Sequence, residues 1–125
     1  MTVEDTDQTV APERVAELIA GGEVELVDVR TAAEYEAGHV AGARHVPFDE
    51  LAARSQELDR SRTLVLYCRS GGRSGAATQA FSASGWEAQS MAGGLAGWVD
   101  RGHPLEPDDG HVADTTGLPD QPTST

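Results

Sequence analysis

The chain contains one cysteine, Cys68, placed where the apolar run Leu64-Val65-Leu66-Tyr67 gives way to Arg69-Ser70-Gly71-Gly72-Arg73-Ser74 and then to helix-forming residues. A buried strand that ends in a glycine-rich turn feeding a helix directs backbone N–H groups, and the positive end of the helix, at the centre of the turn. Here that centre is a thiol flanked by two arginines, which predicts a reactive thiolate. Lowering the pKa of a thiol from near 8.5 to about 6 raises its thiolate fraction about thirtyfold at neutral pH. That shift needs about 3.4 kcal/mol of preferential stabilisation of the anion. A helix N-terminus supplies about 0.3–1 kcal/mol and at most about 2. The rest must come from direct N–H hydrogen bonds or from Arg69 and Arg73, and Gly71 and Gly72 let the backbone fold closely around sulfur.

Two other motifs compete for this segment. Thiol phosphatases carry Cys-x5-Arg around a phosphoryl group, whereas Cys68 to Arg73 is Cys-x4-Arg, a shorter ring that disfavours a phosphatase or arsenate reductase. Gly72-Arg73-Ser74-Gly75-Ala76 approaches the Gly-x-Ser-x-Gly nucleophile elbow, but the strand ends at Cys68 and not at the serine. Ser74 is therefore read as the cap of the following helix. A cysteine that merely packs would not call for such a loop. A non-catalytic sulfur carrier or regulatory binding module stands as the alternative from outside enzymology.

Composition narrows the chemistry further. All nine basic residues are arginine, which excludes lysine-dependent mechanisms such as a Walker A phosphate site or a Schiff base. A lone cysteine gives no internal disulfide, no Cys-x-x-Cys pair and no multi-cysteine zinc site, and it fits a reducing cytoplasm. No metal or cofactor is expected. The net charge of −12 argues against nucleic acid or membrane as partners, so an anionic ligand needs a local basic site. Neither a signal sequence nor a membrane span is expected from the residue pattern.

The elements that must position the thiol follow from pattern. Pro12 to Ala20 reads as an amphipathic helix stopped by Gly21-Gly22, and Glu25 to Val29 as a strand. Thr31-Ala32-Ala33-Glu34 fits a capping box opening a short helix to Ala37. Ala43 to Val46 is a short strand, Asp49 to Arg54 is helical, and Ser55 to Arg62 is an exposed polar stretch. Thr63 to Tyr67, apolar without alternation, reads as a central strand buried on both faces. Ser74 to Ser84 is the next helix, Trp86 to Met91 a strand, and Gly93-Gly94 turns the chain into a last helix carrying Leu95, Trp98 and Val99. Alternating strands and helices indicate an α/β sheet. Residues 1–11 are expected to be a flexible segment, 12–106 the domain, and 107–125 a disordered acidic and polar tail.

Three ordered segments resemble the rhodanese-like domain family from about Pro12 to Pro104. They are Leu26-Val27-Asp28-Val29-Arg30 with Glu34-Tyr35-Glu36-Ala37-Gly38-His39-Val40-Ala41-Gly42-Ala43 and Val46-Pro47; the loop from Cys68 to Ser74; and Gly93-Gly94-Leu95-Ala96-Gly97-Trp98. The resemblance implies a five-stranded, mainly parallel sheet with helices on both sides. It also implies that Cys68 takes up a sulfane sulfur as a persulfide, from thiosulfate or a related small anionic donor, and passes it to cyanide or to an external thiol, including one on a protein. Arg69 and Arg73 are then the candidates for offsetting the repulsion between two anions. Asp28 and Arg30 belong to the polar framework beneath the loop. His39 and His45 are read as fixing a turn, and Trp98 as a core residue. A lone cysteine cannot resolve its own persulfide, so the sulfur must leave to an external acceptor.

Overall fold

In the computed structural model, residues 8–113 are described. Strands Thr9–Val10 (β1), Val24–Asp28 (β2), Arg44–His45 (β3), Thr63–Tyr67 (β4) and Ala88–Met91 (β5) form one sheet in the order β1-β5-β4-β2-β3, with every pairing parallel. Helices Pro12–Ala20 (α1), Ala32–Ala37 (α2), Leu51–Arg54 (α3), Gly72–Ala83 (α4) and Gly94–Asp100 (α5) connect the strands, with 3-10 turns at Phe48–Glu50 and Ser55–Glu57.

The central strand is β4, and Leu64 to Tyr67 are each 0% exposed. Side chains of a strand alternate between faces, and here the alternation divides the core in two. Val65 and Tyr67 join Val15, Leu18, Leu95 and Trp98 on the α1/α5 side. Leu64 and Leu66 join Leu51, Ala77 and Phe81 on the α3/α4 side, and the same parity carries Cys68 to that side. Sheet periodicity therefore aims the thiol at the N-terminus of α4.

Several boundaries differ from those expected. The segment 1–11 is not wholly free: Thr9–Val10 adds the edge strand β1, tied by Ser90 N–H to Gln8 O at 2.9 Å and Ala92 N–H to Val10 O at 2.8 Å. A two-residue strand has too short a pattern to read; residues 1–7 lie outside the described residues. Within the polar stretch 55–62, Leu58 is buried, and the neighbouring Asp59 N–H donates to Glu25 at 3.1 Å. β5 starts at Ala88 because Trp86 instead closes α4, its N–H on Phe81 O at 3.0 Å and its ring edge-on to Phe81.

Nor does the chain leave the domain at Glu106. His39 and Glu106 exchange backbone hydrogen bonds of 3.0 and 2.8 Å, His111 N–H donates to Ala37 O at 2.9 Å, and Val112 packs on the α1/α5 core. Gly38 permits this strap, since a Cβ there would lie 2.5 Å from His111 O. Apolar Leu105 and Val112, embedded in a polar composition, anchor it. The remainder of the expected tail, 114–125, lies outside the described residues. Among those described, no helix is long and apolar enough to cross a membrane.

Candidate active site

Cys68 is 0% exposed and its sulfur is met by the turn that follows it. Gly71 N–H donates to Sγ at 3.0 Å and Ser74 N–H at 3.5 Å, while Ser74 Oγ lies 3.5 Å away. Gly71 caps α4 with φ +123°, a conformation that strongly favours glycine, and this turns the chain into the helix directly after the N–H that meets sulfur. The helix consequently begins at Gly72, two residues earlier than expected. Ser74 is thus not the cap but the third helical residue, and its hydroxyl meets Ser90 Oγ at 2.7 Å. Two N–H donors and the positive end of a 12-residue helix converge on the sulfur.

The loop is held from behind by α5. Leu95 N–H donates to Cys68 O at 2.8 Å and Ala96 N–H to Arg69 O at 3.0 Å, so the start of α5 satisfies carbonyls that the end of β4 leaves unpaired. This close approach needs Gly94, at φ +61°, where a Cβ would stand 2.5 Å from Arg69 O and 2.6 Å from Cys68 O. The Gly93-Gly94 pair, read from sequence as a turn, fixes the position of the loop backbone.

Arg73 does not act as the loose cation expected beside the thiol. Its Nη1 and Nη2 donate to Glu34 Oε1 and Oε2 at 2.9 and 3.1 Å, with both side chains buried. Glu34 also completes the expected capping box, accepting from Thr31 N–H at 3.0 Å and Thr31 Oγ1 at 3.1 Å. Burial alone would raise the pKa of Glu34, but the hydrogen bonds from Arg73 and Thr31 outweigh it and hold the carboxyl below its ordinary value. One carboxylate therefore joins α2 to the first turn of α4. Arg69, partly exposed, has no acidic partner among the described residues, and its Nε is buried without a hydrogen bond. Ser70 is exposed at the loop rim.

Asp28 and Arg30 lie side by side, both 0% exposed. Arg30 Nε and Nη2 donate to Asp28 at 2.9 and 2.6 Å, and Nη2 also reaches Gly38 O at 2.7 Å, fastening the end of β2 to the end of α2. Burial would lower the pKa of Arg30, yet hydrogen bonding to Asp28 and its charge raise it above the ordinary value. The pair touches neither the sulfur nor the loop, and acts on the site through the seat of α2. His39 Nδ1 lies 2.8 Å from Tyr35 O and His45 Nε2 2.7 Å from Arg30 O, with both rings stacked on Tyr35. They bind turn backbone, away from the thiol. Trp98 is buried, donating from Nε1 to Pro104 O at 2.8 Å.

Sequence reasoning missed the contacts that Glu34 and Ser90 make with the loop and the first turn of α4. The capping box revealed where Glu34 sits locally, but nothing local signals its pairing with an arginine 39 residues away. Ser90 carried one weak signal, a small polar residue at a position of β5 that alternation directs into the core.

Comparison with known proteins agrees with this architecture. The Rhodanese-like domain family model matches residues 11–101, and the chain belongs to that family. It is 33% identical over 95 residues to the thiosulfate sulfurtransferase GlpE of Pseudomonas aeruginosa, covering 75% of this chain and 86% of that protein. It is 37% identical over 75 residues to the uncharacterized protein YqhL of Bacillus subtilis, covering 59% of this chain and 60% of that protein. Among solved structures, a rhodanese-related protein from Thermoplasma volcanium superimposes with a TM-score of 0.73 at 26% identity, covering 78% of this chain and 96% of that one.

Proposed function

We propose that this protein is a sulfurtransferase that carries a sulfane sulfur on Cys68. The observation that supports the reading most is the convergence of Gly71 N–H, Ser74 N–H and the N-terminus of α4 on one buried sulfur. In the first half-reaction the thiolate attacks the outer sulfur of thiosulfate or a related small anionic donor. The sulfur–sulfur bond of the donor breaks, sulfite leaves with the electron pair, and Cys68 holds a persulfide anion. In the second, cyanide or an external thiolate attacks the terminal sulfur, giving thiocyanate or a new persulfide and restoring the thiolate. Charge balances in both steps, and the loop N–H groups face Sγ, which carries the charge in the thiolate that opens the first step and is restored by the second. Arg69 is the residue we assign to the incoming anion, because Arg73 is committed to Glu34. The same commitment argues against a phosphatase, which needs an arginine fork free to clasp a phosphoryl group. The chemistry needs Cys68 kept reduced between turnovers, which is why we assign the protein to the cytoplasm.

A second reading, a non-catalytic module with a packed thiol, is supported by the complete burial of Cys68. Thiocyanate formation from thiosulfate and cyanide separates the two. The wild-type protein is expected to form it and Cys68→Ser is not, across several sulfane donors; equal rates for both would refute the sulfurtransferase.

A further inference from the structure

Ser90 lies on β5 in register with Leu66, on the α4 face of the sheet that also carries Cys68. It is 4% exposed, and a buried hydroxyl is costly unless bonded. Its side chain has one hydrogen-bond partner among the described residues, Ser74 Oγ at 2.7 Å. Ser74, 0% exposed, has three: Ser90 Oγ, Gly71 O at 3.5 Å and Cys68 Sγ at 3.5 Å. Gly71 O is already served by Gly75 N–H at 2.8 Å.

Counting protons separates two orders of the chain. The two hydroxyls have two protons and share one contact between them. If Ser74 donates to Ser90, the Ser90 proton finds no acceptor in the described protein and Ser74 has nothing left for sulfur. If Ser90 donates to Ser74, the Ser74 proton is free for Gly71 O or Sγ, both at 3.5 Å, of which a charged Sγ is the stronger acceptor, and a donor that is itself an acceptor in a chain is polarised and strengthened. The second order is the one an anionic sulfur selects. Ser90 also lines a cleft of about 380 Å³ with Ser70, Gly71, Gln79 and Met91, between β1 and α4. Water there can accept the Ser90 proton when the thiol is protonated and the chain runs the other way.

We propose that Ser90 is a positioning residue for Cys68, acting through Ser74 to turn a hydroxyl donor onto the sulfur anion. The proposal rests on Cys68 as the reacting thiol, and alkylation by iodoacetamide tests it without any sulfur donor, so its failure is distinguishable from failure of the sulfurtransferase reading. On the acid side of the pH profile the alkylation rate follows the thiolate population. There Ser90→Ala is expected to slow alkylation about two- to threefold, the share a cooperative neighbour adds to a charge-assisted hydrogen bond. Ser74→Ala is expected to slow it more, and adding Ser90→Ala to Ser74→Ala is expected to change nothing further. A merely structural role would lower the melting temperature without moving the profile. Ser90→Thr and Ser90→Val differ by the hydroxyl and repeat the comparison if Ser90→Ala does not fold. A wild-type profile in Ser74→Ala, or in a folded variant without the Ser90 hydroxyl, would overturn the proposal. So would an undiminished effect of Ser90→Ala in the Ser74→Ala background.

Discussion

Arg73 stands five residues from the thiol, yet its fork is bound to Glu34, making a buried pair between α2 and α4. Such a pair is weak evidence for net stability, but removing one partner strands the other charge. Glu34→Gln is accordingly expected to cost about 3–5 kcal/mol in urea unfolding. A cost below about 1 kcal/mol would mean that Arg73 finds solvent or another acceptor. The sign of the pH dependence follows from the depressed Glu34 carboxyl. Its contribution is complete above the unfolded value of 4.5 and is lost as pH falls through the lower folded value. Wild-type stability should therefore drop faster below pH 4.5 than that of Glu34→Gln, and parallel pH–stability curves would contradict the assignment.

At the scale of elements, the sequence was most legible where a pattern is both local and dense. Thr63 to Tyr67 is an uninterrupted apolar run and forms β4 with those limits, and the Thr31/Glu34 box opens α2 as expected. Legibility failed where a tertiary contact overrode the local signal. Ser74 has the chemistry of a cap, but Gly71 reaches a φ that moves the helix start forward and leaves Ser74 inside. The strap after Glu106 reads as polar tail because only its packing on α2 and the core reveals Val112 as an anchor. Gly94 shows the same limit, since its need for glycine comes from the carbonyls of Cys68 and Arg69 pressing on it. Gly94→Ala combines a left-handed backbone penalty with a backbone clash and should destabilise the fold by about 2–4 kcal/mol. Because the clash is with the loop itself, the folded variant should also alkylate more slowly at Cys68; unchanged stability and reactivity would mean that α5 does not brace the loop.

Taken whole, the molecule carries a net charge of −12, whereas the residue we propose for the incoming anion is a single loop arginine, Arg69, without an acidic partner among the described residues. These two fields oppose each other over different ranges. Repulsion by the overall charge acts at long range and is screened as the Debye length falls from about 30 Å at 0.01 M to about 8 Å at physiological salt. Attraction by Arg69 acts at contact and is screened less. The rate of Cys68 alkylation by iodoacetate, divided by that for neutral iodoacetamide, should therefore rise with salt; a falling ratio would show that the loop cation dominates even at a distance. The central claim, that Cys68 is the atom on which sulfur travels, is tested most directly by intact-protein mass spectrometry after incubation with thiosulfate. The expected result is a single added sulfur on the wild type, removed by cyanide and absent from Cys68→Ser. No added sulfur on the wild type from any sulfane donor, or an equal addition to Cys68→Ser, would contradict it.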